Sequence, residues 1–148
     1  MENIRELLQV FVRRFGLLNA SCAEGCCGEE VSLVQSHLLF EIKRRENASM
    51  QEVAESLGMD ITTFSRQIKN LERKGLVRKD LDPADRRINL LSLTPEGERV
   101  ENNIDRQMER YLAQIFGQMT DFERETVSRS IRLLNSALAK TGTCCSVK

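Results

Sequence analysis

The sequence contains no tryptophan, one histidine, one tyrosine and two prolines among 148 residues. So little proline, together with 30% charged residues, is typical of a water-soluble and mainly helical protein. There is no run of about eighteen apolar residues, so no membrane partner is expected. The N-terminal MENIRELLQV has acids among its charges and lacks the pattern of a secretory signal. These absences predict a single domain over residues 1–148, located in the cytoplasm.

The residues that most enzymes need are also scarce. The chain has no phosphate-binding glycine loop and no visible pairing of a nucleophile with a base. His37, the single histidine, falls on a predicted helix, where core or surface placement is more common than metal ligation. The sequence therefore predicts a protein that is not an enzyme and that has no obligatory cofactor.

The charge is balanced overall but is not evenly distributed. Lys and Arg number 22, as do Asp and Glu, which gives a net charge of zero. Residues 61–90 contain eight basic and four acidic residues, a local balance of +4, so the remaining residues carry −4. A basic segment on a mildly acidic body is typical of a DNA-binding protein.

The apolar spacing predicts a mainly α fold with a small two-stranded β wing. Apolar residues three and four apart predict a first helix over residues 2–18. Capping boxes at Ser32, Ser49 and Thr120 predict three further helix starts, and Thr94-Pro95 predicts another. The expected inward faces are Val34, Leu38 and Ile42 on the second helix, and Ile61, Phe64, Ile68 and Leu71 on the helix over residues 61–74.

Residues 49–93 read as a helix, a turn at Gly58, a second helix and a β-hairpin, which is the order of a winged helix-turn-helix. The second helix is the candidate recognition helix. Its expected outward face carries side chains suited to phosphate oxygens and base edges: Thr62, Thr63, Ser65, Arg66, Lys69, Asn70 and Arg73. Arg86 and Arg87 follow the predicted hairpin turn, where they could reach a minor groove or its phosphates.

The segments SRQIKNLERKGLV, DPADRR and LTPEG, in this order and spacing, resemble the MarR family of bacterial transcription regulators. The resemblance implies a homodimer that binds a palindromic operator in double-stranded DNA, with recognition helices about 34 Å apart. It implies a helical dimerisation region over residues 1–30 and 95–140 and a winged helix-turn-helix region over residues 31–94. Asp85 matches the family's acidic residue that orients the wing arginine, here Arg87.

The five cysteines depart from this family pattern. They form two clusters, Cys22, Cys26 and Cys27 in the first, and Cys144 and Cys145 in a predicted flexible tail over residues 141–148. Glu24, Glu29 and Glu30 disfavour a reactive thiolate near the first cluster, whereas a bound cation would drive thiol deprotonation itself. The pattern therefore favours a thiophilic inducer, with arsenic(III) or antimony(III) first and copper(I), lead, cadmium or mercury as alternatives.

The predicted function is a repressor that leaves its operator when these thiols bind the inducer. Two alternatives remain open at the level of sequence. One is a MarR-type thiol sensor of oxidants or electrophiles, and the other is a thiol-rich metal-binding resistance protein or chaperone. The sequence does not decide whether the two clusters form one site or two, within or between chains.

Overall fold

The computed structural model describes residues 3–16 and 31–141. The described elements are α1 (Ile4–Arg14), α2 (Leu33–Arg45), α3 (Met50–Ser56), α4 (Ile61–Arg73), β1 (Val77–Leu81), β2 (Asn89–Leu93), α5 (Pro95–Phe116) and α6 (Asp121–Thr141). The described chain forms two compact units that divide between Asp105 and Arg106. This architecture confirms the prediction of a mainly helical fold with one small two-stranded sheet.

The helix starts follow the capping signals of the sequence. The Ser32 hydroxyl accepts a hydrogen bond from the Gln35 amide, and the Gln35 side chain accepts one from the Ser32 amide. Ser49 and Glu52 form the same reciprocal pair, as do Thr120 and Glu123. Because each box satisfies amides that would otherwise lack a partner, it fixes the first turn of its helix.

The core of the first unit lies between α2, α3, α4, the sheet and the first turns of α5. Its buried apolar residues are Val31, Leu38, Leu39, Ile42, Val53, Ala54, Phe64, Ile68, Leu71, Leu76, Val77, Leu91 and Val100. The two strands pair antiparallel from Val77–Leu93 to Leu81–Asn89. Val77 and Leu91 place the sheet against the core, whereas most residues of the turn between the strands are exposed.

Two residues predicted to face this core are exposed instead. Val34 is 45% exposed because the buried face of α2 is centred between Leu38 and Leu39, about 90° further around the helix. Ile61 is 52% exposed because it begins α4, nearly one turn before Phe64, the first residue of that helix in the core. Both predictions were wrong, and in both cases the residue lies at the margin of an apolar face.

The first helix is shorter than predicted. It ends at Arg14 rather than at residue 18, and Gly16 follows with a φ of +86°. That left-handed conformation suits glycine and is a common helix terminator. Leu18 lies outside the described residues.

The first and last helices contain no buried residue in the described chain. Both nevertheless carry apolar side chains at helical spacing, among them Leu7 and Phe11 on α1 and Leu134 and Leu138 on α6. Nowhere in residues 3–16 and 31–141 is a helix both long and apolar enough to cross a membrane.

Candidate DNA-binding surface

The start of α4 is fixed by a tight turn and a side-chain cap. Gly58 has a φ of +62° and donates its amide to the Glu55 carbonyl, which turns the chain between α3 and α4. The Asp60 carboxylate then accepts the Thr63 amide at 2.9 Å. Hydrogen bonds from Thr63 lower the pKa of Asp60, so the cap stays ionised near neutral pH. A carboxylate at this end also complements the helix dipole.

The inner face of α4 is anchored by Phe64, Ile68 and Leu71, which are fully buried. Packing on this side turns the predicted DNA-contacting side chains outward. Thr62, Thr63, Arg66, Lys69 and Arg73 are exposed, and Ser65 and Asn70 are half-buried. The structure thus places all seven side chains on one helix, with five of them open to solvent.

The cations of this face differ from several others in the described chain. Arg66, Lys69 and Arg73 have no ion-pair partner among the residues that the structure describes. By contrast, Arg44 and Arg45 share Glu41, Arg78 pairs with Asp80, and Arg99 pairs with Glu96. An arginine without a carboxylate keeps its fork of donors available for a phosphate or a base edge.

Of the two arginines in the turn of the wing, Arg87 is held in place by the carboxylate of Asp85. Arg87 donates from Nε to Asp85 Oδ1 at 3.1 Å and from Nη2 to Asp85 Oδ2 at 3.0 Å. This contact lowers the pKa of Asp85 and raises that of Arg87, so both groups are ionised near neutral pH. Arg86 is exposed and has no ion pair in the described part of the chain.

The backbone of the same turn is closed by its own hydrogen bonds. Asp82 donates its amide to the Ile88 carbonyl at 2.9 Å, and the Asp82 carboxylate accepts the Ala84 amide at 2.8 Å. The Ile88 amide reaches the Asp85 carbonyl at 2.9 Å. These hydrogen bonds within the turn fix the backbone that carries both arginines, without any contribution from a partner.

An open groove of about 600 Å³ lies between the wing and the starts of α3 and α4. Arg87, Ile61 and Gln51 are among its lining residues. The position of α3 beside the wing was not predicted from the sequence. The pairing of Ser49 with Leu90, which brings the start of α3 to β2, has no local sequence signal.

Two polar contacts between distant segments were also missed. Lys74, at the end of α4, donates to the side-chain oxygen of Gln35 at 3.0 Å. Lys43 on α2 donates to the carboxylate of Glu101 and, at 2.8 Å, to the side-chain oxygen of Asn102. Gln35 and Glu101 are both buried, and their place among the apolar residues of their helices was the only signal in the sequence.

The five cysteines predicted as metal ligands, Cys22, Cys26, Cys27, Cys144 and Cys145, lie outside the described residues. Among residues 3–16 and 31–141, no group of three or more His, Cys, Asp and Glu is arranged to hold a metal ion. His37 is exposed on α2. The thiol site stays a prediction from the sequence.

A hairpin wing beside a capped two-helix motif defines a winged helix-turn-helix protein. A model of the MarR family matches residues 31–88. The HTH-type transcriptional regulator YxaD of Bacillus subtilis is 30% identical over 93% of this chain and 94% of its own. The chain belongs to the MarR family of DNA-binding transcriptional regulators. Because its relatives are regulators, the expectation that it is not an enzyme is confirmed.

Solved structures show the same fold. FabT of Streptococcus pneumoniae, in complex with DNA, superposes with a TM-score of 0.84 at 21% identity, covering 94% of this chain and 97% of FabT. MepR of S. aureus, also in complex with DNA, has a TM-score of 0.74 at 18% identity, covering 93% of this chain and 99% of MepR. At such identities the likeness concerns the fold.

Proposed function

We propose that this protein is a homodimeric repressor that inserts α4 into the major groove of a palindromic operator. The observation that carries the proposal is that Arg66, Lys69 and Arg73, on the outer face of α4, have no ion-pair partner within residues 3–16 and 31–141. A helix of 13 residues that is anchored on one face and presents hydroxyl and basic groups on the other fits that groove. The complexes of FabT and MepR with DNA support the same role for this fold.

The wing contributes a second contact in this proposal. Arg87, 91% exposed and held by Asp85, and the neighbouring Arg86 would reach the adjacent minor groove or its phosphates. Arg87 and Ile61, the first residue of α4, line the same groove beside the wing. One subunit would thus grip one half-site at two places.

Dimerisation is supported by the apolar faces of α1 and α6. Four large apolar side chains of α1 are exposed: Ile4, Leu7, Leu8 and Phe11. On α6 the exposed set is Phe122, Ile131, Leu133, Leu134 and Leu138. Apolar stripes of this extent on helices without a buried residue are typical of a protein interface. The proposed dimer buries these stripes and sets the two copies of α4 on successive turns of DNA.

The DNA-binding proposal is tested with DNA from upstream of the protein's own gene. Footprinting locates the operator, and fluorescence anisotropy then measures Kd across a salt series. We expect Arg66→Ala and Lys69→Ala each to weaken binding and to reduce the salt slope by about one. The matched control is Arg99→Ala, because Arg99 is paired with Glu96 on α5. No specific binding by the wild type at moderate salt would overturn the proposal.

We further propose that the cysteines release the repressor from DNA when they bind a thiophilic species, with arsenic(III) or antimony(III) first. The support is the sequence: Cys22, Cys26 and Cys27 lie within six residues, with Glu24, Glu29 and Glu30 beside them. A trivalent centre with three thiolates is neutral, so acidic neighbours hinder its capture less than they hinder oxidation. Copper(I), lead, cadmium and mercury are the alternative inducers for these thiols to bind.

Operator binding with and without arsenite tests this second proposal. We expect arsenite to raise Kd for the wild type, and the joint change of Cys22, Cys26 and Cys27 to serine to abolish that response. The response of a variant with Cys144 and Cys145 changed to serine shows whether the second cluster is needed to complete the site. A triple variant that responds like the wild type would exclude the first cluster as the sensor. A response to peroxide but not to arsenite would favour the redox alternative.

A further inference from the structure

The end of α4 and the start of α5 meet at a joint formed by Gly75, Leu76, Thr94 and Gly97. Gly75 has a φ of +73° and closes α4 by donating its amide to the Glu72 carbonyl. The Leu76 amide reaches back to the Leu71 carbonyl at 3.0 Å. The Thr94 amide then donates to the Leu76 carbonyl at 3.1 Å. The two helices are thus connected through backbone bonds on either side of the wing.

Thr94 makes this connection with its side chain as well. Its hydroxyl donates to the Gly75 carbonyl at 2.6 Å and accepts the Gly97 amide at 3.0 Å. The first bond satisfies a carbonyl just past the end of α4, and the second caps the start of α5. A single hydroxyl group therefore stabilises both the end of α4 and the start of α5.

Gly97 lets the two backbones touch. A Cβ atom at this position would lie 1.9 Å from the Leu76 carbonyl oxygen and 2.9 Å from its carbon. The atoms that such a Cβ would meet belong to the backbone of Leu76, which cannot rotate out of the way as a long side chain would. The first turn of α5 is consequently held against the segment that leaves α4.

The next turn of α5 is held by a buried charge. Glu101 is 3% exposed and accepts from Lys43 of α2, which also donates to Asn102 at 2.8 Å. A buried carboxylate is costly unless it is paired, so displacing α5 from α2 would leave Glu101 without its partner. The first two turns of α5 are thus fixed at both the Thr94 joint and the Lys43–Glu101 pair.

We propose that Thr94 is a positioning residue for operator recognition, which makes α4 and the first two turns of α5 one rigid body. This inference rests on the proposed function as a dimeric DNA-binding protein. Since α5 runs on to Phe116, in the helical region assigned to dimerisation, the joint ties α4 to the first two turns of a helix that continues into that region. In the dimer it therefore sets how far apart the two recognition helices stand, and which half-site spacing they accept.

The test compares Thr94→Val, which keeps the side-chain size but loses the hydroxyl, with Thr94→Ser, which keeps the hydroxyl. Each full-length protein is titrated against the footprinted operator and against versions with one or two base pairs inserted or deleted at its centre. We expect wild type and Thr94→Ser to discriminate strongly between spacings. In Thr94→Val this discrimination should fall by about five- to a hundredfold, the range expected for losing two hydrogen bonds.

The matched control is Thr120→Val, which removes the capping hydroxyl of α6 and leaves the Thr94 joint unaltered. It should lower thermal stability but leave the ratio of affinities between spacings unchanged. If Thr94→Val does not fold, Lys43→Met, which leaves the buried carboxylate of Glu101 without this partner, loosens α5 from α2 and carries the same expectation.

A uniform loss of affinity at every spacing, or an unchanged spacing profile, would overturn the positioning role of Thr94. Failure of the wild type to bind any of these operators would instead overturn the proposed function.

Discussion

Asp85 holds the guanidinium of Arg87 at two points, 3.1 Å from Nε and 3.0 Å from Nη2, while Arg87 remains 91% exposed. The Arg87 amide also donates to the same carboxylate at 3.0 Å. A long side chain that is ordered before binding loses less conformational freedom when it contacts DNA. In the proposed complex, however, the carboxylate would also bring a negative charge towards the phosphates. Orientation and repulsion therefore act in opposite directions.

The variant Asp85→Asn separates these effects. Loss of the orienting contact should lower specific operator affinity, whereas loss of the negative charge should raise affinity for any DNA. We expect the ratio of operator to non-specific affinity to fall by about two- to tenfold. Competition titrations with both DNAs measure this ratio. Asp80→Asn, which breaks the pair with Arg78 on β1, is the control, and an equal fall in both variants would argue against orientation by Asp85.

Hydrogen bonding to Arg87 keeps the pKa of Asp85 below its ordinary value. A carboxyl with a lowered pKa is ionised above that value and becomes protonated only as the pH falls through it. The Asp85–Arg87 contact should accordingly be intact throughout pH 5–8. We expect the ratio of operator affinities of wild type and Asp85→Asn to stay constant over this range at fixed salt. If the ratio approached one between pH 7 and pH 5, the Asp85–Arg87 contact would not be intact over this range.

Glu41 provides a separate pH-dependent contribution, to stability. Contacts with Arg44 and Arg45 lower its pKa from 4.5 to about 2, against the opposing effect of burial. Because the folded-state pKa is the lower one, this stabilisation is present above pH 4.5 and is lost as the pH falls towards 2. After allowance for screening at the exposed arginines, it is worth about 1–2 kcal/mol.

The variant Glu41→Gln should therefore unfold more easily than the wild type at pH 7 and converge with it in acid. Urea denaturation at several pH values between 7 and 2 would measure both curves. The difference in unfolding free energy should shrink mainly below pH 4.5. A difference that is constant over the whole range would show that Glu41 stabilises the fold through packing rather than through its charge.

The sequence predicted the features that depend on neighbouring residues. The capping box at Ser32, the cap at Asp60 and the helix end at Gly75 are decided within a single turn of chain. Contacts between distant segments were not predictable in this way. Lys43 and Glu101 are 58 residues apart, and only the packing of α2 on α5 brings them together. The resemblance to the family supplied the pairing of Asp85 with Arg87.

Ile61 and Phe64 show the same limit within one helix. Both fit the apolar period of α4, but Phe64 is fully buried and Ile61 is 52% exposed. We expect Phe64→Ala to lower the free energy of unfolding by about 3–5 kcal/mol, because it leaves a cavity in the core. Ile61→Ala should cost less than about 1 kcal/mol. Chemical denaturation of both variants measures these values, and similar losses would show that Ile61 is part of the core.

The apolar faces of α1 and α6 give the most direct test of the proposed dimer. Phe11 on α1 is 54% exposed, and Phe40 on α2 is 52% exposed, so the two are matched in residue type and accessibility. Only Phe11 lies on a face assigned to the interface. Phe11→Glu should therefore yield monomers in analytical ultracentrifugation, while Phe40→Glu should remain dimeric. Since one subunit can hold only one half-site, the monomer should also lose most operator affinity. Dissociation by Phe40→Glu with a dimeric Phe11→Glu would move the interface from α1 to α2.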